Sequence, residues 1–116
     1  MPINSRAKGA RAERDLASFL REEYGWTARR TAQRMGKSGD ASDVVVEEMP
    51  DLHLECKMVE RLNLEKAMEQ AVRDCLTKIP VVCHRKCRGE WMLTVHLKDL
   101  QQLATMIQES RTGGKQ

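Results

Sequence analysis

Three charged residues near the middle of the chain, Asp43, Glu55 and Lys57, have the types and spacing that phosphodiester hydrolysis requires. Carboxylates are hard oxygen ligands of the kind that Mg²⁺ prefers, and a cation held by them offsets charge on phosphate oxygens. A lysine beside them can hold the attacking water and adds positive charge near the scissile phosphate. The alternative for so short a pattern is a network of salt bridges on an exposed sheet face.

A β-hairpin would bring these residues together. Three valines at 44–46 predict a first strand, the residues at 49–51 predict a turn, and 52–58 predict a second strand. If the hairpin closes near that turn, Asp43 and Glu55 lie opposite each other and can share an ion. Alternation separates the two faces of the second strand, with His53, Glu55 and Lys57 on one and Leu52, Leu54 and Cys56 on the other.

A third acid, Glu13, is expected on the first helix. Asn4 or Ser5 can cap this helix, which is predicted to run to about Tyr24, where Gly25 ends it. Glu13 lies one turn before the apolar stripe of the helix, which comprises Leu16, Ala17, Leu20 and Tyr24. An unpaired buried acid is costly, so a cation shared with the other two acids would stabilise all three.

A competing aspartate, Asp40, lies in the polar loop that precedes the hairpin. The loop spans 32–42, follows a strand predicted at 26–31, and is expected to be mobile when no ligand is bound. Asp40 could replace Asp43 as a metal ligand. We prefer Asp43 because it directly precedes the valine strand.

The rest of the chain predicts a helix, two strands and a last helix. Asn63 can cap a helix from 64 to about 78, strands are expected at 81–84 and 90–97, and Asp99 begins the final helix. The residues expected to face the core are Leu64, Met68, Ala71, Val72 and Cys75 in the second helix, and Leu100, Leu103, Ala104 and Ile107 in the last.

The order helix, three strands, helix, two strands, helix predicts an α/β fold. We expect a mixed central sheet of about five strands flanked by helices. The stretch from 52 to 84 should form a right-handed crossover between two parallel strands. A chain of 116 residues corresponds to one domain, expected at 1–110, with a disordered tail at 111–116.

Basic residues form three clusters, each of which alone also fits an ordinary exposed surface. The net charge of +3 is modest, so this distribution says more than the total. Together the clusters predict contacts with the phosphate backbone of DNA. One Phe and one Tyr leave little scope for base stacking. The predicted DNA-binding residues are Arg6, Lys8 and Arg11, beside Arg14, in the first cluster, Arg29, Arg30, Arg34 and Lys37 in the second, and Arg85, Lys86 and Arg88 in the third.

The cysteines and the first residues bear on the cellular compartment. The chain starts without the apolar stretch of a secretory signal, and its apolar runs fall short of the roughly 18 residues of a membrane span. We therefore expect a cytoplasmic protein with reduced thiols and no membrane association. No organic cofactor is expected. Cys83 and Cys87, around His84, could begin a zinc site, but a second ligand pair at similar spacing is missing. Buried or turn cysteines are the preferred interpretation.

Four segments resemble motifs of the PD-(D/E)xK nuclease superfamily, in particular those of archaeal-type Holliday junction resolvases and small phage resolvase-like endonucleases. The segments are AERDLASFL with Glu13, SGDASDVVV with Asp43, LHLECK with Glu55 and Lys57, and LEKAMEQAVRDC with Gln70. The likeness spans about 7–100 and includes the late segment PVVCHRKCRGEWMLTVHLKDL. One departure is Ser42 before Asp43, where the family pattern has proline.

This resemblance implies a restriction-endonuclease-like fold and a Mg²⁺ cofactor for which Mn²⁺ can substitute. It also implies that Glu13, Asp43 and Glu55 bind the metal and that Lys57 orients the water. Gln70 would support the site, with an ordinary polar helix residue as an equal alternative.

The expected activity is that of a magnesium-dependent endonuclease that cuts branched DNA, foremost Holliday junctions. A homodimer is expected, because a four-way junction needs two matched cuts. Two alternatives stay open. One is a nuclease of the same fold that acts on flaps, single strands or duplex DNA, and the other is a non-catalytic basic DNA-binding module whose acids are structural.

Overall fold

The computed structural model describes residues 5–31 and 42–113, so the predictions for Arg34, Lys37 and Asp40 lie outside the described residues, as do those for the side chains of Arg6 and Lys8. The described chain follows the predicted order of helices and strands. Its elements are α1 Ser5–Tyr24, β1 Ala28–Arg30, β2 Val44–Val46, β3 Leu52–Met58, α2 Leu64–Asp74, β4 Ile79–Arg85, β5 Met92–Val95, a 3-10 turn Leu97–Asp99 and α3 Leu100–Gly113.

The strands form one mixed sheet in the order β1-β2-β3-β4-β5. Neighbouring strands are antiparallel except for β3 and β4, which are parallel, with Glu55 aligned with Val82. Helix α2 connects those two strands, as predicted for the stretch 52–84. Five consecutive residues of the middle strand β3, 52–56, are buried. The sheet and its flanking helices confirm the predicted α/β fold.

Helices α1 and α2 cover opposite faces of the sheet. One hydrophobic core joins α1 and α3 to residues such as Leu54 of β3 and Val81 of β4. A smaller core joins α2 to Val82, the next residue of β4. Because successive residues of a strand point to opposite faces, Glu55, which is aligned with Val82, lies on the face that α2 covers. The charged face of β3 is therefore buried rather than exposed.

The end of α1 and the start of α2 follow the capping residues in the sequence. Gly25 adopts a φ of 73° and donates its N–H to the Arg21 carbonyl, which ends α1. The Asn63 side chain accepts a hydrogen bond of 3.1 Å from the Lys66 N–H, which confirms the predicted cap of α2. The placement of Tyr24 in the buried stripe was wrong. This residue is exposed at the last turn of α1, where its ring stacks on Trp26 at 4.5 Å.

Helix α2 is shorter than the sequence suggests, and fewer of its apolar residues are buried. It ends at Asp74 instead of about Lys78, because the chain turns at Leu76, whose φ is 54°. Val72 is exposed, which corrects its placement in the apolar stripe. A helix with small residues such as Ala71 at the contact approaches the sheet closely, and residues beside that line of contact remain in solvent.

Helix α3 packs on the core through fewer residues than predicted. Leu103 is buried and Ile107 packs against the same core, whereas Leu100 and Ala104 are exposed, contrary to the predicted core-facing set. The helix continues to Gly113, beyond the expected start of the tail, and 114–116 lie outside the described residues. None of the described helices combines the length and the apolarity that a membrane span requires.

All four cysteines are free thiols, as expected. Cys83, in the central part of β4, is buried, and Cys87 is exposed in the basic turn between β4 and β5. These positions agree with the interpretation of Cys83 and Cys87 as buried or turn cysteines.

Candidate active site

The hairpin of β2 and β3 places Asp43 opposite Glu55. Val44 pairs with Leu54 in antiparallel register, and the Asp43 N–H donates a hydrogen bond of 2.9 Å to the Leu54 carbonyl. The side chains of Asp43 and Glu55 meet, since Glu55 acts on Asp43 both through its charge and through a side-chain hydrogen bond. The geometry expected from a turn at 49–51 is therefore present.

The carboxyl groups of Asp43 and Glu55 form a close pair. Burial raises the pKa of Asp43 to about 7, and the charges of Glu55 and Glu13 and a hydrogen bond with the Glu55 side chain act in the same direction. The Cys56 N–H donates to Asp43 Oδ2 at 2.8 Å, which opposes this shift because it stabilises the carboxylate. The pair therefore retains a proton close to neutral pH, and a divalent cation between the two groups would replace it.

Glu55 is held by His53, two residues earlier on the same strand. Nε2 of His53 lies 2.8 Å from Glu55 Oε2, and its Nδ1 lies 3.0 Å from Ser42 Oγ. All three side chains are buried. Neither His53 nor Ser42 was among the predicted site residues. The face that His53 shares with Glu55 was the sequence signal that could have indicated the contact.

Lys57 points toward α2, where Gln70 holds its ammonium group. Lys57 Nζ donates to Gln70 Oε1 at 3.1 Å, and this contact is partly buried. Helix α2 fixes the position of Gln70 because Ala67 and Ala71 pack beneath it on the sheet. The contact favours a supporting role for Gln70 over that of an ordinary polar helix residue.

Glu13 approaches from α1 and is paired with Arg30. Nη2 of Arg30 lies 3.1 Å from Glu13 Oε1, and the Glu13 side chain is 18% exposed. Its charge acts on Asp43, so it lies near the pair. Within 5–31 and 42–113, however, the structure shows no group of three or more acidic, His or Cys side chains that could hold a metal ion. Of the three predicted ligands, the structure brings Asp43 and Glu55 together and leaves Glu13 bound to an arginine.

The two paired carboxyl groups fit a hard divalent cation. Mg²⁺ is bound in proteins by one or two carboxylates and retains several water molecules, so Asp43 and Glu55 suffice as protein ligands. Burial, and then the charge of the neighbouring Glu55, raise the pKa of Asp43, and a bound cation would offset both effects. The chemistry of this donor set therefore agrees with Mg²⁺ or Mn²⁺.

The hydrogen bonds of Thr31 join the two ends of the segment that links β1 to β2. Its N–H donates to the Asp43 carbonyl at 3.1 Å, and its hydroxyl donates to the Ser42 carbonyl at 2.7 Å. The backbone of Asp43 is thus held from β1 on one side and from β3 on the other.

The predicted DNA-binding residues differ in whether they form ion pairs within the protein and in how exposed they are. Arg85 forms an ion pair of 3.4 Å with Asp15 and stacks over the Trp91 ring at 4.8 Å. Arg30 is engaged by the glutamate of α1, as described above, and Arg29 forms an exposed pair of 3.8 Å with Glu47. Among the predicted residues whose side chains the structure describes, the exposed ones are Arg11, Arg29, Lys86 and Arg88.

Comparisons with known proteins agree with this geometry. The model of a family described as "Phage putative PDDEXK endonuclease" matches residues 4–113. Among solved structures, the chain is similar to that of Hjc, a Holliday junction resolvase from the archaeal hyperthermophile Archaeoglobus fulgidus. The two chains are 25% identical, the TM-score is 0.50, and the match covers 76% of this chain and 72% of the other. No curated protein matches the chain at a significant level.

Proposed function

The chain belongs to the family of phage PDDEXK endonucleases, and we propose that it is a magnesium-dependent endonuclease that cuts branched DNA, with four-way junctions as its main substrate. The observation that carries this proposal is the close pair of carboxyl groups formed by the half-buried Asp43 and the buried Glu55, with Lys57 on the same strand as Glu55. The likeness to a solved Holliday junction resolvase supports branched DNA as the substrate. The proposed location is the cytoplasm of a bacterial or phage-infected cell.

Asp43 and Glu55 would hold the cation, and Glu13 would complete the ligand set on release from Arg30. A divalent cation held there would lower the pKa of a coordinated water and offset charge on the phosphate oxygens. Members of the PD-(D/E)xK nucleases generally depend on a divalent metal, and we propose Mg²⁺ with Mn²⁺ as a substitute. The pairing with Glu55 supports Asp43 over Asp40 as a ligand.

Lys57 would hold the attacking water and place a positive charge beside the scissile phosphate. An ammonium group has three N–H donors, and Gln70 accepts one of them from Lys57. This contact orients the ammonium group and leaves donors for the water and the phosphate. Attack of the water on the phosphorus would break the bond between phosphorus and the 3′ oxygen, which gives a 5′-phosphate on one end and a 3′-hydroxyl on the other.

The exposed basic residues would contact the phosphate backbone. Arg11, Lys86 and Arg88 are exposed and available for such contacts, as is Arg29 once it leaves its exposed pair with Glu47. We propose the same role for Arg6, Lys8, Arg34 and Lys37. Arg30 and Arg85 would take part only after their ion pairs within the protein are broken. Contacts of this kind recognise the shape of DNA rather than its base sequence.

A homodimer is part of the proposal. A four-way junction has two-fold symmetry, and two matched cuts on opposing strands require two identical active sites in a fixed relation. Sedimentation equilibrium of the purified protein tests this directly. A monomer both alone and on junction DNA would contradict paired cutting.

A cleavage assay on a panel of synthetic DNAs tests the proposed function. Four-way junctions, flaps, single strands and linear duplexes carry the same sequence and are incubated with Mg²⁺, Mn²⁺ or a chelator. We expect metal-dependent, symmetric nicks near the junction centre. Preference for flaps, single strands or duplexes would show that the substrate assignment is wrong while the nuclease assignment holds.

Matched variants separate catalysis from DNA binding. Glu55→Ala and Lys57→Ala should abolish or strongly reduce cleavage, whereas Glu65→Ala, at an exposed position of α2, should not. Cleavage by the first two variants at the wild-type rate would overturn the site assignment. Failure of the wild type to cut any DNA with either metal would leave a non-catalytic DNA-binding module as the better description.

A further inference from the structure

The buried polarity of the fold is concentrated next to the carboxyl pair. In the part of the chain that the structure describes, the buried polar or charged residues are Ser42, His53 and Glu55, which are 0%, 1% and 2% exposed. Ser42 Oγ contacts His53 Nδ1, and His53 Nε2 contacts Glu55 Oε2. These three residues therefore form one hydrogen-bonded chain that ends on a proposed metal ligand.

Stability alone gives little reason for a histidine at this position. Burying polar groups costs free energy unless hydrogen bonds compensate, and apolar residues of similar volume often stabilise a core equally well or better. The contacts of His53 with Ser42 and Glu55 are the features that an apolar residue at this position would lack.

The chemistry of the groups sets the direction of the first hydrogen bond. An ionised carboxylate only accepts, so His53 Nε2 donates to Glu55 Oε2 whenever Glu55 is ionised. The Ser42 hydroxyl can donate or accept, so it can satisfy Nδ1 in either tautomeric or protonation state of the ring. The hydrogen bond from the imidazole to Oε2 fixes the orientation of the Glu55 carboxylate.

We propose that His53 is a positioning residue that holds the Glu55 carboxylate in the orientation that binds the metal, and that Ser42 fixes the imidazole ring. This inference rests on the proposed function, because it takes Glu55 as a metal ligand. Hydrogen bonds to ligating side chains orient them and strengthen metal binding, and their loss typically weakens metal affinity or activity by about 10- to 100-fold.

Binding of Mn²⁺ in the absence of DNA, measured by isothermal titration calorimetry, tests this role independently of cleavage. His53→Leu removes the donor, and His53→Gln keeps an amide N–H at a similar reach. We expect His53→Leu to bind Mn²⁺ about 10- to 100-fold more weakly, and His53→Gln to recover part of that loss. Val81→Ala, a core truncation in β4, should bind as the wild type does. Wild-type affinity in His53→Leu would overturn the proposal.

Nitrogen-15 NMR of the imidazole side chains in the metal-free wild type provides a second readout. We expect a proton on Nε2 of His53, and an Nε2 without a proton would overturn the donor role. If His53→Leu does not fold, His53→Gln and Ser42→Ala decide the question, since Ser42→Ala should weaken Mn²⁺ binding in the same direction. Equal Mn²⁺ affinity in Ser42→Ala, His53→Gln and the wild type would then contradict the proposal.

The two proposals fail in different ways. If the wild type neither binds Mn²⁺ nor cuts any DNA, the proposed function is wrong. If the wild type binds Mn²⁺ and cuts DNA, and loss of the His53 donor changes neither, only the positioning role is wrong.

Discussion

At the scale of single residues, a proton and a cation compete for the same pair of carboxyl groups. Folding brings Asp43 close to Glu55 and partly out of solvent, and both effects favour the protonated form of Asp43. Metal binding requires both groups to be ionised. The apparent metal affinity should therefore rise with pH until Asp43 has lost its proton.

Loss of the same proton makes the metal-free protein less stable as the pH rises. The pKa of Asp43 goes from its ordinary value of 3.8 to about 7 on folding, so the folded state binds the proton more tightly. Its contribution to stability is full below about pH 4 and is lost as the pH rises through about 7. One pKa unit corresponds to about 1.4 kcal/mol, and for a partly exposed group we expect a total effect of about 2 kcal/mol.

Urea unfolding in a chelator between pH 4 and pH 8 checks this expectation. Asp43→Asn keeps an acceptor for the Cys56 N–H but carries no charge, so its stability should fall less steeply with pH. At pH 8 the variant should be more stable than the wild type, although inactive. Parallel stability curves for the two proteins would show that Asp43 is not the group responsible.

Lys57 and Gln70 should act as one unit in catalysis, because Gln70 contacts the ammonium group rather than the proposed metal ligands. Lys57→Ala removes a charge-stabilising donor and should lower the rate constant for cleavage on the order of 100-fold. Gln70→Ala should cost about tenfold. The double variant should be no slower than Lys57→Ala alone, as single-turnover cleavage of a junction would show. Multiplied losses would mean that the two residues act independently.

The sequence was sufficient for one part of the site and insufficient for another. Hairpin length and strand alternation predicted the alignment of Asp43 with Glu55, because both follow from local geometry. The ion pair of Glu13 with Arg30 and the contact of His53 with Ser42 depend on tertiary packing. Spacing along the chain carries no information about such partners.

At the scale of elements, α2 connects fold stability to the site. It packs on the sheet through a narrow set of small and flexible side chains, and it carries Gln70 to Lys57. A short helix with so limited a buried surface depends on its cap, since the first turn of any helix leaves backbone N–H groups without partners. Asn63 supplies one of those partners.

Asn63→Ala should therefore lower the free energy of unfolding by about 1 kcal/mol, through loss of the hydrogen bond to the first turn of α2. Asn63→Asp should retain the stability, since an aspartate accepts the same bond. Equilibrium urea unfolding of the three proteins provides the measurement. Equal midpoints for Asn63→Ala and the wild type would mean that the cap contributes nothing to the fold.

Helical periodicity identified the helices but overestimated what they bury. Val72 and Leu100 fit apolar stripes by spacing, yet both are exposed. The width of a buried stripe is set by how closely the helix approaches its neighbours, and that distance depends on the facing residues. Periodicity shows which side of a helix faces the core, but it does not show how many residues on that side are buried.

At the scale of the whole molecule, the layers explain why a charged strand can lie in the middle of the fold. The mixed sheet, the order of helices and strands along the chain and the parallel pair followed from the sequence, since each element had its own local signal. Burial of both faces of β3 did not, because alternation in a strand suggests one solvated face. Coverage by α2 makes the site a partly enclosed one.

Binding of DNA should depend on the salt concentration and on the basic turn between β4 and β5. Lys86→Ala with Arg88→Ala should weaken junction binding and reduce the slope of log affinity against log salt by roughly one for each phosphate that the variant no longer neutralises. Lys66→Ala, an exposed lysine outside the three basic clusters, is the matched control. Fluorescence anisotropy with a chelator present measures binding without cleavage, and an unchanged slope would remove this turn from the proposed interface.

The hydrogen bonds from Thr31 to the backbone of Ser42 and Asp43 have a consequence for evolution and for protein engineering. They close the base of the segment between β1 and β2, so the position of Asp43 does not depend on how much chain lies beyond that base. The entropy of closing a loop grows only slowly with its length. Relatives should therefore tolerate insertions and deletions between 31 and 42, and a foreign DNA-reading peptide could be grafted there without displacing the acidic residue beside it.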